Sequence, residues 1–274
     1  MSSTKQTERV KAILFDFDGT LSTLRAGWEE TMAPFFKEAI SGSYKLTPEE
    51  SALLVKEIEA YIDQSTGIQT IFQMRWLVEK VKEKGWNSEL LGEWDYKAEY
   101  NRRLLIKVED RVKGLREGLY NPTDFLIKGS EALLEQLNKE GIPMYIASGT
   151  DHPDVVNEAE VLGVKHYFKE IAGAPVGRAD CSKEKVIQEL LAQQEFREVG
   201  LAVIGDGKVE IKLAKENGAV ALGLASDEIK REGINPVKQQ RLKAAGADFI
   251  AGDFTDTAQW LEWLGIDKRT EQQS

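Results

Sequence analysis

The chain has 274 residues, with 36 Lys and Arg against 46 Asp and Glu and a formal charge of -10 at pH 7. Hydrophobic residues make up 42% of it, which excludes wholesale disorder and fits one buried core with a sizeable insertion. The acidic balance disfavours nucleic acid as a partner, because nucleic-acid binders need clustered Lys and Arg. The chain carries one cysteine, Cys181, and no apolar run long enough to span a bilayer. We therefore expect a cytoplasmic protein with no internal disulfide and no membrane partner.

The first predicted element is a strand over residues 10–16, where an apolar run stops at acidic residues and glycine. From about Leu21 to Phe125 the pattern is helical throughout. One helix begins at Thr47, which offers an N-cap hydroxyl ahead of a proline, and two more are predicted over 68–84 and 96–114. This interval predicts an inserted all-helical domain over residues 23–122.

Strands and helices alternate along the rest of the chain. Short apolar runs that end in polar loops predict strands over residues 143–147, 199–204, 219–224 and 248–251. Apolar residues three or four apart predict helices over residues 130–140, 154–162, 183–193, 210–217 and 236–245. The alternation predicts an α/β core with a doubly wound, Rossmann-like parallel sheet, made of residues 1–22 and 123–274.

Polar residues follow the predicted strands. Asp16 and Asp18 end the first strand, and two acids two residues apart on an extended chain face the same way. Burying such a pair is costly without a cation, and Mg²⁺ would supply one. An ordinary Asp-Gly turn is the alternative explanation.

Further polar loops occur later in the chain. Ser148-Gly149 follows a strand and offers a hydroxyl and N–H groups to a phosphate, while Asp206 follows another strand with Glu210 four residues on. Lys183 or Lys185 begins a helix and could neutralise a carboxylate and a phosphoryl group. Because the carboxyl ends of parallel strands meet at one sheet edge, we expect these groups to converge there.

In this order, the motifs resemble those of the haloacid dehalogenase superfamily of phosphatases and phosphotransferases. The sequence FDFDGT is similar to its first motif, ASG to its second, the lysine of SKEKVI to its third and IGDGKVE to its fourth. The helical interval resembles the cap inserted after the first motif in phosphoglycolate phosphatases and β-phosphoglucomutases.

The resemblance implies roles for the charged residues. Asp16 would be the nucleophile that becomes an aspartyl phosphate, and Asp18 the general acid and base. Lys183, whose Lys-x-x-Val-Ile spacing is similar to the third motif, would orient the nucleophile, with Lys185 as the alternative.

The resemblance also implies the groups that bind metal and phosphate. Mg²⁺ would be held by Asp16, the backbone carbonyl of Asp18, and Asp206. Glu210 stands where the family more often has Asp, so direct, water-mediated and absent ligation all stay open for it. The phosphoryl oxygens would be bound by Ser148 and the N–H of Gly149.

The retained Asp18 favours a phosphate ester as substrate, since dehalogenating and phosphonate-cleaving relatives replace this acid. We expect a Mg²⁺-dependent phosphatase for a small phosphorylated metabolite, a sugar or organic-acid phosphate. The alternatives are a phosphosugar mutase of the β-phosphoglucomutase type and a non-catalytic module that binds a phosphorylated ligand. We expect the cap to determine substrate specificity through contacts of Arg25 and Gln69 with the substrate. We expect the protein to be a monomer or a homodimer.

Overall fold

The computed structural model describes residues 9–179, 182–193 and 200–266. Its centre is a six-stranded parallel sheet in the order β3-β2-β1-β4-β5-β6. The strands are β1 Ala12–Phe15, β2 Met144–Asp151, β3 Phe168–Ala174, β4 Leu201–Gly205, β5 Val220–Leu224 and β6 Phe249–Ala251. Their carboxyl ends lie at one edge of the sheet.

β1 lies in the middle of the sheet and is buried along its whole length. Successive side chains of a strand point to opposite faces, and here Ile13 and Phe15 pack into one hydrophobic cluster while Ala12 and Leu14 pack into another. Both faces of the sheet are therefore covered, which explains the continuous apolar run in the sequence. The predicted doubly wound α/β fold is confirmed.

Helices of the core cover the two faces of the sheet. They are α5 Ser130–Lys139, α6 His152–Val161, α7 Ser182–Ala192, α8 Lys208–Glu216, α9 Pro236–Ala245 and α10 Thr257–Trp263. Short 3₁₀ turns cover Pro122–Asp124 and Lys165–Tyr167. The first five core helices correspond to the predicted ones, with α6 and α8 each beginning two residues earlier than expected.

Two elements of the core were not predicted from the sequence. β3 is an edge strand with exposed Lys169 and Glu170, so its apolar pattern is weak. α10 is short and begins after the N-cap Asp256, whose side chain accepts a hydrogen bond from the Gln259 N–H. The predicted strand at 143–147 is longer than expected, because β2 continues through the polar residues to Asp151. Residue 199, the predicted start of β4, lies outside the described residues.

Four further helices lie between β1 and α5: α1 Trp28–Ser41, α2 Pro48–Gln64, α3 Thr70–Lys84 and α4 Glu93–Arg116. Thr47 caps α2 as predicted, since its hydroxyl accepts from the Glu50 N–H at 3.2 Å while the Glu50 carboxylate accepts from the Thr47 N–H at 2.8 Å. The predicted stripe on α4 is buried: Tyr100, Leu104, Val108 and Val112. We call these four helices the cap; their organisation as a separate domain over residues 23–122 stays a prediction.

Within the described residues, no helix is long and apolar enough to cross a membrane.

Candidate active site

The cap and the carboxyl edge of the sheet enclose a cavity of about 100 Å³. Six of the residues predicted from the motifs line it: Asp16, Asp18, Ser148, Gly149, Lys183 and Asp206. They come from the ends of β1, β2 and β4 and from the start of α7. The topology thus brings together residues up to 190 positions apart in the sequence.

Asp16 follows the last residue of β1 and is buried. Its Oδ1 accepts a hydrogen bond from the Phe17 N–H at 2.8 Å, and its Oδ2 lies 3.0 Å from the Lys183 ammonium. Burial raises the pKa of Asp16 well above its usual value; Lys183 opposes the rise, while the neighbouring Glu210 and Asp206 add to it. A further cation near Asp16 would relieve this unfavourable charge.

Lys183 lies between two carboxylates, with its Nζ also 3.1 Å from Glu210 Oε2. Burial lowers the pKa of Lys183, but the charges of Asp16 and Glu210 raise it above its usual value, so the side chain is an ammonium. Lys185 is exposed and lies 3.8 Å from Glu189. The geometry therefore brings Lys183, and not Lys185, next to Asp16.

Glu210 folds back onto the loop that follows β4. Its Oε1 accepts a hydrogen bond from the Gly207 N–H at 2.6 Å. A Cβ at Gly205 would overlap Glu210 Cγ, and one at Gly207 would lie 2.8 Å from Glu210 Oε1, so a side chain at either position would displace Glu210. Burial raises the pKa of Glu210, but Lys183 and the backbone N–H groups outweigh it and lower the pKa.

Three buried carboxylates form a candidate metal site. Oxygens of Asp16, Asp206 and Glu210 lie within 4.8 Å of one another. Hard oxygen donors of this kind suit a hard divalent cation, and a cation would offset the burial that, as the largest cause, raises the pKa of Asp16. The residues present therefore fit a divalent cation, although Glu210 already contacts Lys183 and the Gly207 N–H.

Asp18 faces the polar end of β2. Its Oδ2 accepts from the Thr150 hydroxyl at 2.7 Å and from the Ser148 hydroxyl at 3.3 Å, and the Thr150 N–H in turn donates to Ser148 Oγ at 3.0 Å. Asp18 Oδ1 is buried without a hydrogen-bond partner in the described part of the chain. Hydrogen bonds thus hold this carboxylate on one oxygen, while Arg25 Nε lies 3.9 Å from the other.

Two charged residues near the metal site were missed in the sequence. The Lys238 ammonium lies 2.6 Å from Asp206 Oδ2 and 2.6 Å from Glu228 Oε1, and Glu228 lines the cavity. Glu228 lies in the loop after β5, so the strand-end argument could have found it. Lys238 is the third residue of α9 and has no local signal that separates it from a solvated lysine.

Arg25, predicted to contact substrate, lines the cavity and is buried. Its guanidinium lies 2.5 Å from Glu158, 3.2 Å from Asp154 and 3.9 Å from Asp18. Its partners on α6 could not be predicted, because Asp154 and Glu158 have the spacing of an ordinary surface helix. Arg25 is therefore in place at the cavity but already paired with carboxylates.

Gln69, the other predicted substrate contact, is buried just before α3 and does not line the cavity. Neither of its amide atoms has a hydrogen-bond partner among the described residues. Its Cα would lie 3.6 Å from a Cβ placed at Gly149. The structure thus brings Arg25 to the cavity and leaves Gln69 outside its lining.

The cap contacts the core closely beside the carboxylates. Gly67, between α2 and α3, has a φ of +90°, and a Cβ there would lie 2.7 Å from Glu210 Oε2. At the end of α2, Asp63 lies 2.6 Å from Lys208 and 2.5 Å from Arg241, both on core helices. The structure therefore describes the cap closed over the sheet edge.

The family follows from a comparison with protein-family models. The model of the haloacid dehalogenase-like hydrolases matches residues 10–218, most of the chain. The chain belongs to this family. The resemblance drawn from the sequence motifs is thus confirmed, and the protein is a haloacid dehalogenase-like hydrolase. No match was found among curated proteins.

Solved structures share the fold across nearly the whole chain. A structure described as a predicted phosphatase from Clostridium acetobutylicum is 19% identical with a TM-score of 0.58, covering 93% of this chain and 100% of its own. A predicted phosphoglycolate phosphatase from Haemophilus somnus is 16% identical with a TM-score of 0.61, covering 92% and 97%. A β-phosphoglucomutase from Clostridium difficile is 13% identical with a TM-score of 0.60, covering 93% and 97%. At these identities the likeness shows a shared fold.

Proposed function

We propose that this haloacid dehalogenase-like hydrolase is a cytoplasmic, Mg²⁺-dependent phosphatase. Its substrate would be a small phosphate monoester, of a sugar or an organic acid, hydrolysed through an aspartyl phosphate. The observation that carries the proposal is the convergence of Asp16, Asp18, Lys183 and Asp206 on one enclosed cavity. Phosphoryl transfer asks the protein mainly for positioning and for neutralisation of charge, and this set supplies both.

In the first step, a carboxylate oxygen of Asp16 attacks phosphorus and the bond from phosphorus to the ester oxygen breaks. The contact of 3.0 Å with Lys183 supports this role, because the ammonium orients the carboxylate and reduces its repulsion of a phosphate dianion. The leaving oxygen takes a proton from Asp18. The contacts of Asp18 with Thr150 and Ser148 hold its carboxyl group for that transfer.

In the second step, water attacks the phosphorus of the aspartyl phosphate and gives a proton to Asp18. The bond from phosphorus to Asp16 breaks, which releases inorganic phosphate and restores both carboxyl groups. Closure of the cap supports this sequence because it limits the water that can reach the intermediate.

Asp16, Asp206 and the Asp18 carbonyl would hold Mg²⁺, which supplies positive charge beside the transferring phosphoryl group. Glu210 would act mainly through Lys183, given its contact of 3.1 Å with that ammonium. Ser148 and the Gly149 N–H would bind phosphoryl oxygens from the opposite side of the cavity.

The experiment measures inorganic phosphate released from a panel of sugar, organic-acid and nucleotide monophosphates and from p-nitrophenyl phosphate. Wild type is compared with Asp16→Asn, with and without Mg²⁺; Asp110→Asn, which changes an exposed carboxylate of α4, is the matched control. We expect release that needs both Mg²⁺ and Asp16, with a loss of at least about 10³-fold in Asp16→Asn. Full activity in that variant would remove Asp16 as the nucleophile.

The same assay separates the alternatives. A mutase would return the phosphate on another carbon of a sugar phosphate instead of releasing it. A binding module would retain phosphorylated ligands without turnover, and silence across the panel would contradict the phosphatase proposal.

A further inference from the structure

The cap side of the cavity is rich in neutral groups that form hydrogen bonds. From the cap, Thr70 and Tyr100 line it, together with Thr66, Gln73 and Asn101, which also donate hydrogen bonds to Ile62, Ser65 and Asp151. Burial raises the pKa of Tyr100 far above neutrality, so its phenol keeps its proton. Hydroxyl and amide groups of this kind pair with the hydroxyl groups of a ligand as donors and acceptors.

Cations on the cavity wall are already paired with carboxylates. Among the described residues, those that line the cavity are Arg25, Lys97 and Lys183. Arg25 lies 2.5 Å from Glu158, and Lys183 lies 3.0 Å from Asp16. The third, Lys97 of α4, reaches across from the cap to Asp151 at the end of β2, 2.5 Å away.

Lys97 is the cation best placed to meet the non-reacting part of a substrate, because it projects from the cap. Its partner Asp151 also accepts from the Asn101 amide at 3.4 Å. The Lys97 side chain is only 10% exposed, so water screens this ion pair little. A substrate carboxylate would therefore have to displace Asp151 from both Lys97 and Asn101.

Acidic residues outnumber basic residues on the cavity lining. Against the three cations stand six acids: Asp16, Asp18, Asp151, Asp154, Asp206 and Glu228. One divalent cation and one phosphate dianion bound together would leave this imbalance unchanged. A carboxylate on the leaving group would add a further negative charge with no unpaired cation among the described lining residues to receive it.

We propose that the leaving group is uncharged and hydroxylated, a sugar or another polyol, and not a carboxylic acid. The inference rests on the proposed phosphatase function and narrows its substrate class. Neutral groups of the cap bind the hydroxyls of the leaving group, while the pairing of Lys97 with Asp151 keeps anionic leaving groups out.

The first arm of the test uses wild-type protein with Mg²⁺ and two pairs of substrates that differ in one carboxylate. These are glycerol 3-phosphate against 3-phosphoglycerate, and sorbitol 6-phosphate against 6-phosphogluconate. We expect kcat/KM for the uncharged member to exceed that for the acid by about tenfold or more in at least one pair. An equal or higher kcat/KM for the acid in both pairs would overturn the inference.

The second arm uses Asp151→Asn, which removes the carboxylate that pairs with Lys97. We expect the ratio of kcat/KM between acid and polyol to rise about tenfold, because the ammonium can then pair with the substrate carboxylate. Adding Lys97→Met to that variant should return the ratio to the wild-type value, while Asp110→Asn, an equal change in net charge on the surface, should not move it. An unchanged ratio in a folded Asp151→Asn protein would count against the role of the ion pair.

A further substrate, p-nitrophenyl phosphate, distinguishes failure of the leaving-group inference from failure of the phosphatase proposal. Release of phosphate from it together with a preference for the acids contradicts the inference alone. No release from it or from any of the four metabolites contradicts the phosphatase proposal and the inference with it.

Discussion

The sheet edge and the cap-facing wall of the cavity carry their polar groups in different ways. At the sheet edge, Asp16 and Asp206 directly follow β1 and β4, so the parallel topology alone brings them together. In the cap, Gln73, Lys97 and Asn101 lie on helices, where they reach the cavity only through the packing of α3 and α4 against the core. The parallel topology therefore positions the proposed catalytic carboxylates, whereas helix packing positions the groups that would contact the rest of the substrate.

The largest effect should come from breaking the sheet-edge cluster at its cation. Lys183→Met leaves the buried Asp16 and Glu210 without their shared ammonium, so we expect kcat to fall about 100-fold or more. The free energy of unfolding should also fall, by about 3–5 kcal/mol, since a buried ion pair loses one partner. Steady-state kinetics and urea unfolding measure both quantities.

Lys185→Met is the matched control, because this neighbouring lysine is exposed and its ion-pair partner within the described residues is Glu189, 3.8 Å away. It should leave kcat within about twofold and stability within about 0.5 kcal/mol of wild type. Equal effects of the two substitutions would contradict the placement of Lys183.

A smaller effect should come from the point where cap and sheet edge touch. The added Cβ of Gly67→Ala would lie 2.7 Å from Glu210 Oε2, so we expect the cap to close less completely and kcat/KM to fall about tenfold. Gly85→Ala is the control: its φ of +62° strains an alanine similarly, but nothing lies within 4 Å of the new Cβ. A loss of activity in the control as large as that in Gly67→Ala would assign the effect to backbone strain.

The smallest effect should come from the ion pairs that hold the cap against the core. Asp63→Asn weakens the contacts with Lys208 and Arg241, and because Asp63 is half exposed we expect kcat/KM to fall only about threefold. The difference from wild type should shrink as salt is added.

Glu57→Gln serves as the comparison variant, since Glu57 pairs with Lys80 and Lys84 inside the cap. It should lower the stability of the cap slightly without changing kcat/KM. A loss of activity in Glu57→Gln as large as that in Asp63→Asn would show that closure does not depend on the contact between cap and core.

The sequence predicted the sheet edge better than the cap because strand ends have a local signal. An apolar run followed by Asp, Gly or Ser marks Asp16, Ser148 and Asp206, and parallel pairing then fixes their convergence. Glu228 also follows a strand, so the same strand-end pattern could have predicted it. β3 was not predicted, because this edge strand contains Lys169 and Glu170 and so lacks a continuous apolar run.

The cap residues lack such a signal. Lys97 neighbours the buried stripe on α4, and only tertiary packing turns it towards Asp151 and not towards solvent. Arg25 was predicted, but its partners on α6 lie more than 120 positions away in the sequence. Gln69 was predicted from its loop position, yet it is not among the residues that line the cavity. The positions of substrate-contacting groups on helices can therefore be obtained only from the structure.

The proposed mechanism requires Asp16 to carry the phosphoryl group during turnover. Wild-type protein is quenched rapidly with substrate and Mg²⁺, and sodium borohydride then reduces any aspartyl phosphate to homoserine, which peptide mass spectrometry locates. We expect homoserine at position 16 alone, and none in Asp16→Asn. Homoserine at a different position, or steady release of phosphate with none at position 16, would contradict it.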